Sequence, residues 1–141
     1  MSNAAAIGLT LMVLGTWIRL MTYRHMGRFF RFEASIQKDH ELIVSGPYSV
    51  VRHPAYTGFI LVSVGWFPWQ LSKGSWIVES RSWNLMSGKL LVVIYSILNI
   101  LMTILGLVRM KKEDAALRNQ FGEKWDNWAK RVPYSIFPGI Y

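Results

Sequence analysis

Residues 90–108, LLVVIYSILNILMTILGLV, decide the fold, because they form a run of 19 residues without a formal charge. A helix needs about 17–25 mostly apolar residues to cross roughly 30 Å of hydrocarbon, so this run predicts a membrane span. Two further apolar stretches, roughly 4–23 and 55–71, predict two more spans. The only charge in the first is Arg19, near its end, from where a long side chain reaches the membrane interface. The sequence therefore predicts an all-α integral membrane protein with about three transmembrane helices.

The first apolar stretch has two other interpretations. It lacks a preceding basic segment and a following small-residue cleavage site, so we do not expect a cleaved signal peptide. A helix that lies on the membrane surface stays open as an alternative to a span.

The composition narrows the class of protein further. Hydrophobic residues make up 52% of the 141 residues and charged residues only 17%, against about 25% charged residues in average soluble domains. The absence of cysteine excludes disulfides and thiolate chemistry. No Gly-rich dinucleotide fingerprint or phosphate-binding loop occurs, so no Rossmann domain is expected. The length predicts a single domain over residues 1–141.

The basic residues are distributed as in a membrane protein. The formal net charge is +8, and twelve of the 16 Lys and Arg residues fall in segments 24–54 and 109–141. Three spans would put both segments on one side of the membrane, which the positive-inside rule makes the cytoplasmic side. The charge pattern therefore predicts contact with a lipid bilayer and not with nucleic acid.

Both basic segments also contain patterns of interfacial helices. Basic and aromatic residues are interleaved over residues 24–32, which suits a helix at the membrane interface. Gly122 interrupts a second pattern in the tail, so one bent helix and two separate helices are both open. We expect the tail to lie on the membrane or to cover the ends of the spans. Its apolar residues are spaced by 4, 4, 3 and 4, as on one helical face: Leu117, Phe121, Trp125, Trp128 and Val132.

Residues 46–58, GPYSVVRHPAYTG, place turns and polar side chains at the start of the second span. Gly46-Pro47 predicts a turn. Pro54 disfavours helix at His53 but suits the first turn of a helix that starts after it. The segment combines rigid turns, aromatic rings, hydrogen-bond donors and acceptors, which is what a polar ligand needs.

A second polar cluster stands at the end of the third span, on the same predicted side. Arg109 and Glu113 are one helical turn apart, and Asp114 follows. Taken alone, the pair would be an ordinary surface ion pair. Ionisable groups at span ends are nevertheless candidate ligand sites by default. His40, His53 and Glu113 could hold a metal ion in principle, but no closely spaced His pair exists and we predict no metal site.

These motifs together resemble the isoprenylcysteine carboxyl methyltransferase family. Residues 52–58, RHPAYTG, look like its R-H-P-x-Y-x-G signature, and residues 38–43, KDHELI, fit the same family. Residues 109–114 resemble its R-x-x-x-E-E element, with Asp114 in place of the second Glu. Phe121-Gly122-x-x-Trp125 and Arg131-Val132-Pro133 resemble its fungal-like tail. The resemblance covers about residues 8–141.

The resemblance implies the reaction, the cofactor and the site. The implied reaction is methyl transfer from S-adenosylmethionine to the carboxylate of a C-terminal prenylated cysteine in client proteins. Arg109 would contact that carboxylate. A further family contact, a Gln upstream of His40, aligns with Glu33 and has Gln37 nearby, so its position stays open. The implied cofactor-binding residues are His40, Glu41, Leu42, Ile43, Tyr48, His53, Pro54, Ala55, Tyr56 and Glu113.

The resemblance also implies a location and leaves alternatives. It implies an endoplasmic-reticulum membrane enzyme whose site faces the cytosol. Members usually have five or more spans, so the three predicted here represent a catalytic core, without N-terminal spans that help to wall the lipid tunnel. A phospholipid N-methyltransferase, a sterol reductase remnant and a truncated non-catalytic relative stay open as alternatives.

Overall fold

The computed structural model describes residues 2–27, 41–80 and 85–140. These residues form helices and turns and contain no β-strand, which confirms the all-α prediction. Of the interfacial helix predicted over residues 24–32, residues 24–26 belong to α1, which Gly27 caps, and residues 28–32 lie outside the described residues. The predicted contacts at His40 and at Glu33 or Gln37 also lie outside the described residues. In chain order the helices are α1 (Asn3–Met26), α2 (Pro54–Gln70), α3 (Trp76–Glu79), α4 (Met86–Phe121) and α5 (Glu123–Arg131), with a 3-10 turn at Gly46–Ser49 before α2.

Helices α1 and α4 are long and apolar enough to cross a membrane. No residue in the most apolar 18-residue stretch of α4 is buried inside the protein. So large an exposed apolar surface marks contact with lipid or with a partner. Helix α2 has 17 residues, the lower end of the length that spans a bilayer, and its crossing stays a prediction.

Glycines bring α1 and α2 into close contact. A Cβ atom on Gly15 would lie 2.5 Å from the carbonyl oxygen of Gly58, and one on Gly8 would lie 2.6 Å from that of Gly65. No side chain fits such gaps, so the two backbones touch directly. Small residues at helix interfaces allow this approach inside membranes. Gly8 and Gly15 thus serve packing within the chain.

We expect Gly15→Leu to destabilise the protein strongly. The new side chain would meet backbone atoms of α2, and overpacking of this kind costs about 1–3 kcal/mol or more. Thermal unfolding of the detergent-purified protein, followed by circular dichroism, measures the effect. Thr16→Leu is the matched control, because Thr16 is exposed. Equal melting temperatures for the two variants would contradict the observed packing.

Helix α4 is longer than the apolar run that predicted it. Its 36 residues correspond to about 54 Å at 1.5 Å per residue, against roughly 30 Å of hydrocarbon. Its polar end therefore projects past the apolar stretch and carries Arg109 and Glu113. The helix ends at Gly122, whose φ of 51° starts α5 in a new direction. Of the two interpretations of the tail, two helices divided at Gly122 is the correct one.

The apolar face of the tail covers the segment before α2. Trp125, Trp128 and Val132 are buried and form one cluster, in which Leu42 and Tyr48 pack against them. The indole Nε1 of Trp128 donates to the carbonyl oxygen of Tyr48 at 3.2 Å. The amphipathic tail thus holds the chain that leads into α2.

Candidate functional site

The start of α2 and the polar end of α4 meet at the same end of the protein. His53 caps α2 with non-helical dihedrals, and Pro54 occupies the first turn, as the sequence predicts. The cap holds the imidazole of His53 against α4, where its side chain is 6% exposed. Tyr56 follows on the first turn, its ring edge-to-face with that of His53 at an interplanar angle of 70° and 5.8 Å between centroids. Gly106 on α4 leaves room for the Tyr56 ring.

The carboxylate of Glu113 is the centre of this cluster. The hydroxyl of Tyr56 donates to its Oε1 at 3.1 Å, and Arg109 Nε donates to the same atom at 2.8 Å. His53 Nδ1 lies 3.8 Å from Oε2, which is too far for a hydrogen bond. Tyr56 from the first motif and the pair of Arg109 and Glu113 from the second are therefore bonded into one unit.

Asp114 completes the cluster, although the sequence predicts no role for it. Its Oδ1 lies 2.9 Å from His53 Nε2. A carboxylate only accepts hydrogen bonds, so Nε2 carries the proton and Asp114 orients the ring. Its Oδ2 lies 3.8 Å from Arg52 Nη2. The signal for Asp114 was its position beside Glu113, since neighbouring helical residues point about 100° apart and reach different partners.

Opposite charges balance in the cluster. The guanidinium groups of Arg52 and Arg109 stand beside the carboxylates of Glu113 and Asp114. The Arg109 side chain is the most exposed of the four at 41%. Its Nε is bonded to Glu113, while no partner within the described ranges engages its two terminal nitrogens. As far as the described residues go, these nitrogens can therefore bind an external anion with a fork of two donors.

Tyr48 lies beside this cluster. Burial raises the pKa of its phenol above the ordinary value, and the negative charge of Glu113 adds to the effect. The phenol therefore stays neutral and remains a hydrogen-bond donor at physiological pH. Its packing against the Trp125–Trp128 cluster fixes the ring at the edge of the site.

The other residues predicted to bind the cofactor differ in their burial. Leu42 packs under the tail cluster and Pro54 is fully buried. Ile43 and Ala55 are half-buried, and Glu41 is exposed. Their roles toward a cofactor stay predictions. Within the described residues no group of three His, Asp or Glu side chains is arranged to hold a metal ion.

The C-terminal segment ties down the signature residues, which the sequence did not indicate. The backbone amides of Arg52 and His53 donate to the carbonyl oxygens of Tyr134 and Ser135 at 2.9 and 2.8 Å. Arg52 Nη2 donates to Ser135 Oγ at 2.6 Å. The hydroxyl of Thr57 donates to the carbonyl oxygen of Ile136 at 2.6 Å. Residues 134–136, the C-terminal strap, thus fix the dihedrals that aim His53.

We expect Ser135→Ala to destabilise the protein. Arg52 Nε is already buried without a partner, and loss of the Ser135 acceptor would leave a second charged donor unsatisfied, at a cost of about 1–3 kcal/mol. Thermal unfolding measures the loss. Ser96→Ala is the control, because that hydroxyl bonds only to the carbonyl of Val92 in its own helix. If both variants melted alike, the strap would contribute no specific stability.

Comparison with known proteins agrees with the motifs. The sequence profile of a family described as phospholipid methyltransferase matches residues 3–124. Protein-S-isoprenylcysteine O-methyltransferase B of Arabidopsis thaliana is 38% identical over 60 residues, which cover 41% of this chain and 30% of that protein. The protein-S-isoprenylcysteine O-methyltransferase of Schizosaccharomyces pombe is 27% identical over 125 residues, covering 87% of this chain and 45% of that protein.

A relative of a different class is also similar. The delta(14)-sterol reductase of Mus musculus is 29% identical over 102 residues, which cover 72% of this chain and 20% of that protein. In each of these comparisons the match spans less than half of the relative's own length.

Proposed function

The chain belongs to the phospholipid methyltransferase family, and on that premise we propose that it transfers a methyl group from S-adenosylmethionine to the C-terminal carboxylate of a prenylated cysteine. The product would be a methyl ester on CaaX-processed client proteins. The names of the isoprenylcysteine methyltransferases that it resembles support this acceptor. The observation that carries the proposal is the free guanidinium fork of Arg109 beside Glu113.

Arg109 holds the acceptor in this proposal. A guanidinium binds a carboxylate through two parallel hydrogen bonds, and its planar fork fixes the direction of the bound oxygens. Glu113 holds Arg109 from one side through Nε, so the terminal nitrogens keep one orientation. Positioning two reactants in this way supplies up to about 7–11 kcal/mol of the barrier.

No general base is required for this acceptor. An α-carboxyl group has a reference pKa of about 3.3–3.7, so it is ionised and nucleophilic at pH 7. The site therefore needs donors that orient the carboxylate and an environment that removes part of its water. The cluster offers the first through Arg109 and the second through the half-buried ring of Tyr56.

The residues present fit S-adenosylmethionine, which supplies the methyl group when bound. Aromatic rings attract a sulfonium cation, and Tyr48 and Tyr56 offer two rings at the site. Glu113 and Asp114 accept hydrogen bonds from ribose hydroxyls or an adenine amine. The neutral phenol of Tyr48 adds a donor. His53, held by Asp114, shapes the wall between these groups.

The chemistry of the substrate and the distribution of basic residues support a location for the site. A prenyl chain is apolar and dissolves in the bilayer, which suits a site beside the exposed apolar surface of α4. The basic segments 24–54 and 109–141 support a cytosolic site, and we propose the endoplasmic reticulum as the membrane.

Labelled S-adenosylmethionine and a farnesylcysteine analogue test the proposal. Membranes that contain the chain should form a labelled product from which mild base releases methanol. Membranes without the chain are the blank. Absence of turnover in membranes that contain the folded protein would contradict the proposal.

The family profile favours one second candidate, transfer to the amine of a phospholipid headgroup. An ammonium group must lose a proton before it attacks, so this reaction needs a base, for which Asp114 or Glu113 would serve. Its product is an N-methylated headgroup that is stable to mild base. Recovery of the label in that form, and not in an ester, would replace the proposed acceptor.

A further inference from the structure

The polar end of α4 and helix α5 turn basic side chains away from the candidate site. The inner side of each helix is buried, at Met110 on α4 and at Trp125 and Trp128 on α5. Glu113 and Asp114 share the inner side of α4, where they bond to residues around the start of α2. The outward sides of the two helices expose cations, namely Lys111, Lys112, Lys124, Lys130 and Arg131.

Helix α5 folds back along α4 toward the membrane. Arg118 Nε on α4 lies 2.9 Å from Asp126 Oδ1 on α5, and the strap that follows α5 is bonded to the start of α2. At 1.5 Å per residue, Arg118 stands about 15 Å beyond Val108, where the apolar stretch of α4 ends. Lys130 follows Asp126 by one turn and is therefore about 6 Å nearer the membrane, whereas Lys124 precedes Asp126 and is about 3 Å farther out.

Four of the five cations therefore lie at the level of lipid headgroups. The headgroup layer is about 5–7 Å deep on each side of the hydrocarbon. Lys111 and Lys112 stand about 4–6 Å beyond the apolar stretch of α4. Lys130 and Arg131 stand about 8–9 Å beyond it, and their long side chains reach the headgroups. Lys124, at about 18 Å, lies outside that layer.

Acidic residues of the chain do not balance these cations. Segment 109–141 contains seven Lys and Arg residues against four Asp and Glu residues, and two of the four, Glu113 and Asp114, are engaged at the candidate site. Segment 28–40, which lies outside the described residues, contains three Arg and Lys residues with its two acidic residues, so its own net charge is also positive. A partner that complements this surface is therefore anionic.

We propose that Lys111, Lys112, Lys130 and Arg131, the headgroup face, bind anionic phospholipids of the adjacent leaflet. Basic residues next to a span attract such lipids. The tryptophans of the tail are turned inward, so charge and not their insertion holds the tail to the membrane. Lipid fits better than an acidic protein because these four cations lie against the bilayer. None of them is assigned to the cofactor or to the methyl acceptor, so the proposal does not depend on methyl transfer.

Amine acetylation of the full chain in lipid nanodiscs tests the proposal. Mass spectrometry gives the labelling rate at each lysine in discs of phosphatidylcholine, with and without phosphatidylserine. A negative surface keeps nearby amines protonated, so phosphatidylserine should slow labelling of Lys111, Lys112 and Lys130 by about threefold or more. Lys124 is the matched control, an exposed lysine on the same helix as Lys130. It should be slowed less than about 1.5-fold, because it lies about one screening length farther out.

Two further measurements separate this face from general attraction. Sodium chloride at about 1 M shortens the screening length to about 3 Å and should remove the slowing. The association of spin-labelled phosphatidylserine, relative to phosphatidylcholine, should fall about twofold in Lys130→Gln and stay unchanged in Lys124→Gln.

Three outcomes would overturn the proposal. Equal slowing at Lys124 and Lys130 would reduce the effect to the general field of the disc. Equal rates at every lysine in the two kinds of disc would show that the face binds no anionic lipid. Slowing by soluble polyglutamate in phosphatidylcholine discs, without slowing by phosphatidylserine, would assign the face to an acidic protein segment.

Discussion

Arg109→Ala should lower methyl transfer by about 10²–10³-fold while the affinity for S-adenosylhomocysteine changes less than twofold. Loss of one preorganised donor at the reacting group has effects of this size. Of the two substrates, Arg109 is expected to touch only the acceptor and not the cofactor, and Tyr56 still bonds Glu113 in its absence. Initial rates with the farnesylcysteine analogue and calorimetry with S-adenosylhomocysteine measure the two quantities separately.

Two further variants sharpen this prediction. Arg109→Lys keeps the charge but loses the planar fork, so its rate should fall between wild type and Arg109→Ala. Arg118→Ala also removes an arginine from α4, at a position 63% exposed and paired with Asp126, and should leave the rate within a factor of two. A parallel loss of rate and cofactor affinity in Arg109→Ala would show that Arg109 supports the cofactor site.

Glu113→Ala, in contrast to Arg109→Ala, should act mainly on the cofactor and weaken S-adenosylhomocysteine binding by about 10–100-fold. Hydrogen bonds to a charged group contribute about 1.5–3 kcal/mol, which corresponds to that range. The substitution also releases Tyr56 and Arg109, since both donate to the same oxygen of Glu113. Calorimetry measures the affinity.

The control for Glu113 is a carboxylate on the tail. Glu123 is exposed at the start of α5, and Glu123→Ala should leave the affinity unchanged. Glu113→Gln keeps an acceptor oxygen without the charge, so its loss should be smaller than that of Glu113→Ala. Unchanged cofactor affinity in Glu113→Ala, with turnover alone reduced, would assign Glu113 to the acceptor side.

The sequence predicts helix α2 well because local chemistry determines both its ends. Pro54 fixes the first turn, and the helix Pro54–Gln70 differs by one residue at each end from the predicted 55–71. The same approach underestimates the length of α4. Hydropathy indicates where apolar contact ends, at Val108, but the helix continues with polar residues to Phe121. Only Gly122, with its positive φ, ends it.

The candidate site was predictable in part for a similar reason. Arg109 and Glu113 are one turn apart in the chain, so their ion pair follows from helix geometry. The bond between His53 and Asp114 joins residues 61 positions apart, and no local pattern encodes it. The strap is harder still to foresee, because backbone amides of Arg52 and His53 form two of its bonds. Backbone hydrogen bonds leave no signature in side-chain patterns.

The strap and the tail cluster explain how so short a sequence positions its signature residues. Trp128 holds the chain before α2 through the Tyr48 carbonyl, and Ser135 holds it through the amide of His53. The imidazole is thus fixed by contacts from the tail and from α4. A site of this kind is preorganised by the protein before any ligand arrives.

Calorimetric titration of the detergent-purified chain with S-adenosylhomocysteine tests the central claim most directly. The account predicts saturable binding at one site per chain, weakened in Glu113→Ala and His53→Ala and retained in Arg109→Ala. A folded, helical wild-type sample that binds no S-adenosylhomocysteine would contradict the claim that the cluster of His53, Tyr56 and Glu113 forms a cofactor site.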